Sequence, residues 1–131
     1  MTGLKVLLDT NAIIALQRDN LDLKKLLSTV TDVFIPLIAV GELYFGAHKS
    51  QRVAENRQQV TDFMVNRVVL NPDTDTANLY GEIKQRHGTK GRPIPENDIW
   101  IAALTIQYGL TLITNDAHFE EIDTLTSQGW K

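Results

Sequence analysis

Two short apolar runs, each ending at or just before a carboxylate, constrain this chain most. Lys5 to Leu8 leads straight into Asp9, and Leu110 to Ile113 leads into Thr114-Asn115-Asp116. Runs this short and this apolar suit strands buried on both faces. Val33 to Ile35, closed by Pro36, and Val68 to Leu70, stopped by Asn71-Pro72, have the same character. Helical patterns fill the gaps: Asn11 to Leu16, Leu21 to Val30, Ile38 to Ala47, Val53 to Val65, Thr74 to Arg86, Asn97 to Tyr108 and Ala117 to Ile122. Asp73 is placed to cap the fifth of these, and Gly109 to end the sixth. Strands alternating with helices predict an α/β fold with a mostly parallel central sheet of roughly four or five short strands. With no repeat, linker or low-complexity tract, residues 1–131 read as one domain. Ligands in such folds bind at the carboxyl ends of the strands, where Asp9 and Asp116 lie.

Four acids stand in surroundings wrong for a solvated charge. Asp9 and Asp116 end apolar strands. Glu42 is the one charge in the helix Ile38 to Ala47, sharing a face with Ile38, Ala39, Phe45 and Gly46. Asp98 opens a helix whose next turn carries Ile101 and Ala102. A buried, unpaired carboxylate costs several kcal/mol unless it neutralises or meets a cation. Asp9, Asp98 and Asp116 each have an alternative role as helix caps or dipole partners. Glu42, in mid-helix, has none. No arginine or lysine accompanies the four in their apolar segments, so together they predict a divalent-metal site. An oxygen-only set suits Mg²⁺ or Mn²⁺. Asp9 and Asp98 are the first choices for direct contact.

The composition excludes other classes. The chain has no cysteine, so disulfides and thiolate metal sites are absent and a cytoplasmic location is expected. The first apolar run is too short for a signal peptide, and no stretch approaches a membrane span. Net charge is −3, from 13 basic and 16 acidic residues, which at first argues against nucleic acid. Setting the four candidate ligands aside leaves 13 bases against 12 acids. The acidity is then largely the site itself.

The motifs resemble those of the PIN domain family, and more narrowly its VapC-type toxins of bacterial toxin–antitoxin pairs. The matching segments are Leu7-Leu8-Asp9-Thr10-Asn11, Val40-Gly41-Glu42-Leu43, Ile94 to Ala103 with its Pro95-Glu96-Asn97-Asp98 helix start, and Leu112 to Phe119 with Thr114-Asn115-Asp116. They occur in family order and span nearly the whole chain. The resemblance implies a three-layer α/β/α fold and a Mg²⁺- or Mn²⁺-dependent endoribonuclease. It also implies a homodimer and an antitoxin whose tail enters the active-site groove. Asp9, Glu42, Asp98 and Asp116 would form the acidic site, with Asn11 and Thr114 as polar neighbours toward the substrate. The reaction expected is hydrolysis of RNA by metal-activated water, leaving 5′-phosphate and 3′-hydroxyl ends, with transfer RNA the substrate favoured by the family.

A glycine-rich basic loop, Gly88 to Pro95, follows the fifth helix. Lys84, Arg86, Lys90 and Arg92 lie in an acid-free run leading toward Asp98, and Arg86 and Lys90 are assigned to phosphate contact. His48, His87 and His118 are read as surface or packing residues, His118 being the exception nearest the site. Trp100 and Phe45 are read as core. A haloacid-dehalogenase phosphatase would need a second aspartate where Asn11 stands. A receiver domain would need a paired acidic cluster near its start and a late lysine. A noncatalytic RNA- or protein-binding module and a housekeeping RNA-processing nuclease remain as alternatives, the first separable by metal-dependent RNA cleavage.

Overall fold

A computed structural model of the chain describes residues 3–89, 91 and 93–130. Five parallel strands form one sheet in the order β3-β2-β1-β4-β5. They are β1 (Lys5–Leu8), β2 (Asp32–Pro36), β3 (Val68–Leu70), β4 (Thr111–Ile113) and β5 (Ser127–Gln128). The intervening helices are α1 (Thr10–Gln17), α2 (Leu21–Leu27), α3 (Leu37–His48), α4 (Val53–Met64), α5 (Thr74–Thr89) and α6 (Glu96–Gln107). A 3-10 turn, Ala117–Glu121, links β4 to β5.

The strand pattern explains the layering. Successive side chains of a strand point to opposite faces. Val6 and Leu8 of β1 join Ile113, Ile35, Ile13, Ala39 and Leu43 in a core on the face covered by α1 to α4. Leu7 joins Leu112, Ile99, Ala103 and Ile83 on the other face, under α5 and α6. Both faces are thus dry, which is why Val6 to Leu8 and Leu112 to Ile113 are apolar without a break. The three-layer expectation holds. Among the described residues the sheet is entirely parallel.

The strand order places the site. The chain moves outward from β1 to β2 to β3, then returns to build β4 and β5 on the far side of β1. Connections leaving β1 and β4 therefore diverge, opening a crevice at their carboxyl ends. Asp9 N–H donates to the Ile113 carbonyl at 3.2 Å, so the two strand ends are joined at that crevice.

Two sequence expectations change. The fifth helix, expected to end at Arg86, runs on to Thr89, so His87 and Gly88 belong to α5 and not to the loop. Ser127–Gln128, too short and polar to show as a strand, pairs with β4 through the backbone: Leu112 N–H donates to Thr126 O at 2.9 Å and Thr114 N–H to Gln128 O at 3.0 Å. Gly109 takes φ +64° after α6, the left-handed position its residue type predicts.

Candidate active site

The cleft at the β1–β4 switch point has a volume of about 470 Å³, and its walls include Asp9, Glu42, Asp98 and Asp116. All four acids singled out from the sequence are therefore brought together. Asn11, Asn97, Glu96 and His118 complete much of the rim.

Each acid arrives by a separate route. Asp9 is the N-cap of α1: Ala12 N–H donates to its Oδ1 at 2.7 Å, and the Thr114 hydroxyl donates to its Oδ2. Its capping role thus coexists with its place in the cleft. The side chain is 4% exposed, which makes it the least solvated acid of the four. Glu42 projects from the middle of α3, half-buried, and accepts a hydrogen bond from the Thr10 hydroxyl. Asp98 sits in the first turn of α6. Asp116 caps the 3-10 turn after β4, accepting from His118 N–H at 2.9 Å, while its own N–H donates to Thr114 Oγ1 at 3.0 Å.

The electrostatics follow from four like charges beside low-dielectric walls. Burial first, then the carboxylates of Asp116, Glu42 and Asp9, push Asp98 up to about 6, against an opposing pull from His118. Asp9 is also raised, chiefly by burial, while its bonds from Thr114 and Ala12 pull the other way and Asp116 and Glu42 add to the rise. Such repulsion is relieved by a proton or a cation. Among the described residues, Asp98, Asp116 and His118 each place a donor atom within 4.8 Å of the others. The donor set therefore fits a divalent cation. Glu96 lines the cleft too, but Lys84 Nζ at 2.8 Å and the Tyr80 hydroxyl hold its carboxylate and lower its pKa.

Other assigned residues lie differently. Thr114 is buried and its hydroxyl is engaged by Asp9 and the backbone of Asp116, whereas Asn11 is exposed on the cleft wall. Arg86 pairs with Glu82 at 3.1 Å and lines a small separate cavity with His87. Lys90 and Arg92 lie outside the described residues. Thr10 carries a role its sequence context did not reveal, although it directly follows Asp9. Phe45, expected in the core, is 65% exposed. With Ile14, Ile38 and Trp100 it lines an apolar groove of about 910 Å³ that shares Thr10, Glu42 and Asn97 with the acidic cleft. Trp100 stacks on Tyr80 at 4.3 Å. Gly41 and Gly46 open into this groove, and a Cβ at either would touch nothing within 4 Å. They leave space there and bring no element of this chain into close approach.

The PIN domain family matches residues 6–125. The chain belongs to the PIN domain family. Ribonuclease VapC2 of Haemophilus influenzae is 34% identical to this PIN domain over 130 residues, covering 97% of this chain and 98% of the relative. The tRNA(fMet)-specific endonuclease VapC of Shigella flexneri is 31% identical over 138 residues, at 97% and 98% coverage. Among solved structures, a chain of DNA-bound VapBC from Salmonella typhimurium superposes with a TM-score of 0.86 at 30% identity, over 98% of this chain and 99% of that one. The PIN domain thus falls with the VapC ribonucleases over nearly its whole length.

Proposed function

We propose that this PIN domain is a divalent-cation-dependent endoribonuclease and the toxin of a VapBC-type toxin–antitoxin pair. The observation that carries the reading is the convergence of Asp9, Glu42, Asp98 and Asp116 on one crevice, with Asp9 and Asp98 raised by burial and mutual repulsion. A solvated or decorative set of acids would not be gathered against its own charge from four segments of the fold.

In this reading the four carboxylates would hold Mg²⁺ or Mn²⁺. When bound, the cation supplies Lewis acidity, lowering the pKa of a coordinated water and offsetting charge on the phosphoryl oxygens. Thr114 fixes one oxygen of Asp9, the α1 amide of Ala12 fixes the other, and Thr10 fixes Glu42, so the donors are oriented before RNA arrives. Asn11 and Asn97 stand on the rim to meet the RNA. Water adds to phosphorus and the bond to the 3′ oxygen breaks, leaving a 3′-hydroxyl and a 5′-phosphate. Arg86, which lies outside the cleft, and Lys90 are proposed to steer RNA. The transfer-RNA specificity named for the Shigella relative makes transfer RNA the first substrate to test. A cognate antitoxin, a homodimeric assembly and a cytoplasmic location complete the proposal. The antitoxin is supported by the likeness to a VapBC structure, and no helix among the described residues is long and apolar enough to cross a membrane.

Induced expression of the wild type and of Asp9→Asn, followed by mapping of new RNA 5′ ends, tests this directly. The wild type should create discrete 5′-phosphate ends and arrest growth, the variant neither. Purified protein should lose cleavage in EDTA and regain it with Mg²⁺ or Mn²⁺. Identical ends from both proteins, or cleavage indifferent to EDTA, would sink the reading.

A further inference from the structure

His118 stands closer to the acids than a surface histidine needs to. Its Nδ1 lies 3.2 Å from Asp116 Oδ1 and 4.0 Å from Asp98 Oδ2. The imidazole is held there by local structure. Asp116 caps the 3-10 turn by accepting from the His118 backbone N–H, and the next residue, Phe119, anchors the turn in the core at 1% exposure. The ring itself stays open to the cleft. Donors about 2.1 Å from an octahedral cation sit about 3 Å apart when adjacent and about 4.2 Å apart when opposite. From Nδ1, Asp116 Oδ1 at 3.2 Å lies near the adjacent spacing and Asp98 Oδ2 at 4.0 Å near the opposite one.

We propose that His118 is a nitrogen donor of the cation site, forming with Asp98 and Asp116 a mixed imidazole–carboxylate set that favours Mn²⁺ over Mg²⁺. The inference rests on the cation-dependent reading above and adds a ligand outside the four acids. The physical reason for the preference is donor type. Mg²⁺ seeks hard oxygen ligands and sheds water reluctantly, whereas first-row transition ions accept imidazole nitrogen readily. An all-carboxylate site discriminates less between the two ions.

The test uses untagged, full-length protein and Mn²⁺ alone. Pulsed electron paramagnetic resonance of bound Mn²⁺ should show coupling to an imidazole nitrogen in the wild type. The coupling should vanish in His118→Ala and in His118→Gln. Titration should show Mn²⁺ affinity falling about tenfold in both variants while Mg²⁺ affinity changes less, narrowing the preference. His48 and His87 do not line the cleft, so His48→Ala should keep the coupling. Bound Mn²⁺ with no nitrogen coupling, or coupling that survives loss of His118, would overturn the nitrogen donor and leave the four-acid site standing. Failure of the wild type to bind Mn²⁺ at all would overturn both.

Discussion

Asp9 combines three demands in one side chain: it caps α1, faces the cleft and is nearly excluded from water. Asp9→Asn keeps an oxygen for the Ala12 N–H and removes a charge that burial disfavours. We expect cleavage to fall at least about 100-fold while the melting temperature of metal-free protein holds or rises; a large drop in melting temperature would show that the charge is structurally required. Thr10→Val and Thr114→Val take away the hydroxyls that orient Glu42 and Asp9. Each should lower activity about 10- to 100-fold with circular dichroism unchanged. Asp98 gives a pH signature. A carboxyl with a higher pKa folded than unfolded binds its proton more tightly in the native state. Its stabilising contribution is therefore present below the ordinary value of 3.8 and is lost as pH rises through about 6. In EDTA, the melting temperature of the wild type relative to Asp98→Asn should decline across that window; parallel profiles would contradict the shift. Residue chemistry also set the limits of what could be read. Glu42 was legible because a charge in an apolar helix has few explanations. Thr10 was not, since a threonine after a strand looks ordinary until its hydroxyl meets a carboxylate from another helix.

Among elements, β1 and β4 were legible because both faces are covered, so their buried positions, Val6 to Leu8 and Leu112 to Ile113, must be apolar. β5 gave no such signal. Ser127 and Gln128 pair at the sheet edge through backbone groups alone, and edge pairing needs no particular side chain. What fixes the strand lies just beyond it: a Cβ on Gly129 would stand 2.6 Å from Asn115 Oδ1, which itself accepts from Trp130 N–H at 2.9 Å. Gly129→Ala should displace Asn115, between Thr114 and Asp116, and destabilise the protein by about 1–2 kcal/mol with lowered activity. An unchanged urea midpoint would show that the segment shifts freely. Helix α5 outran its expected end because Gly88 looked like a stop, yet it lies within the helix. Phe45 misled for a related reason. A helical stripe reveals which residues share a face, but not whether that face meets a core or an open groove.

For the whole molecule, the net charge of −3 separates affinity from fold. The acids of the cleft repel phosphate unless a cation reverses their sign. Binding of an uncleavable RNA should therefore be weaker by about tenfold or more in EDTA than with a divalent ion, by filter binding at fixed salt. Equal affinity in both conditions would place the RNA away from the acids.

The Thr114–Asp9 hydrogen bond spans 105 residues of sequence. While the chain is still leaving the ribosome, Asp9 and Glu42 emerge long before Asp98 and Asp116, and the cleft has only half its walls. The cleft that gathers the four acids is complete only once β4 has inserted beside β1.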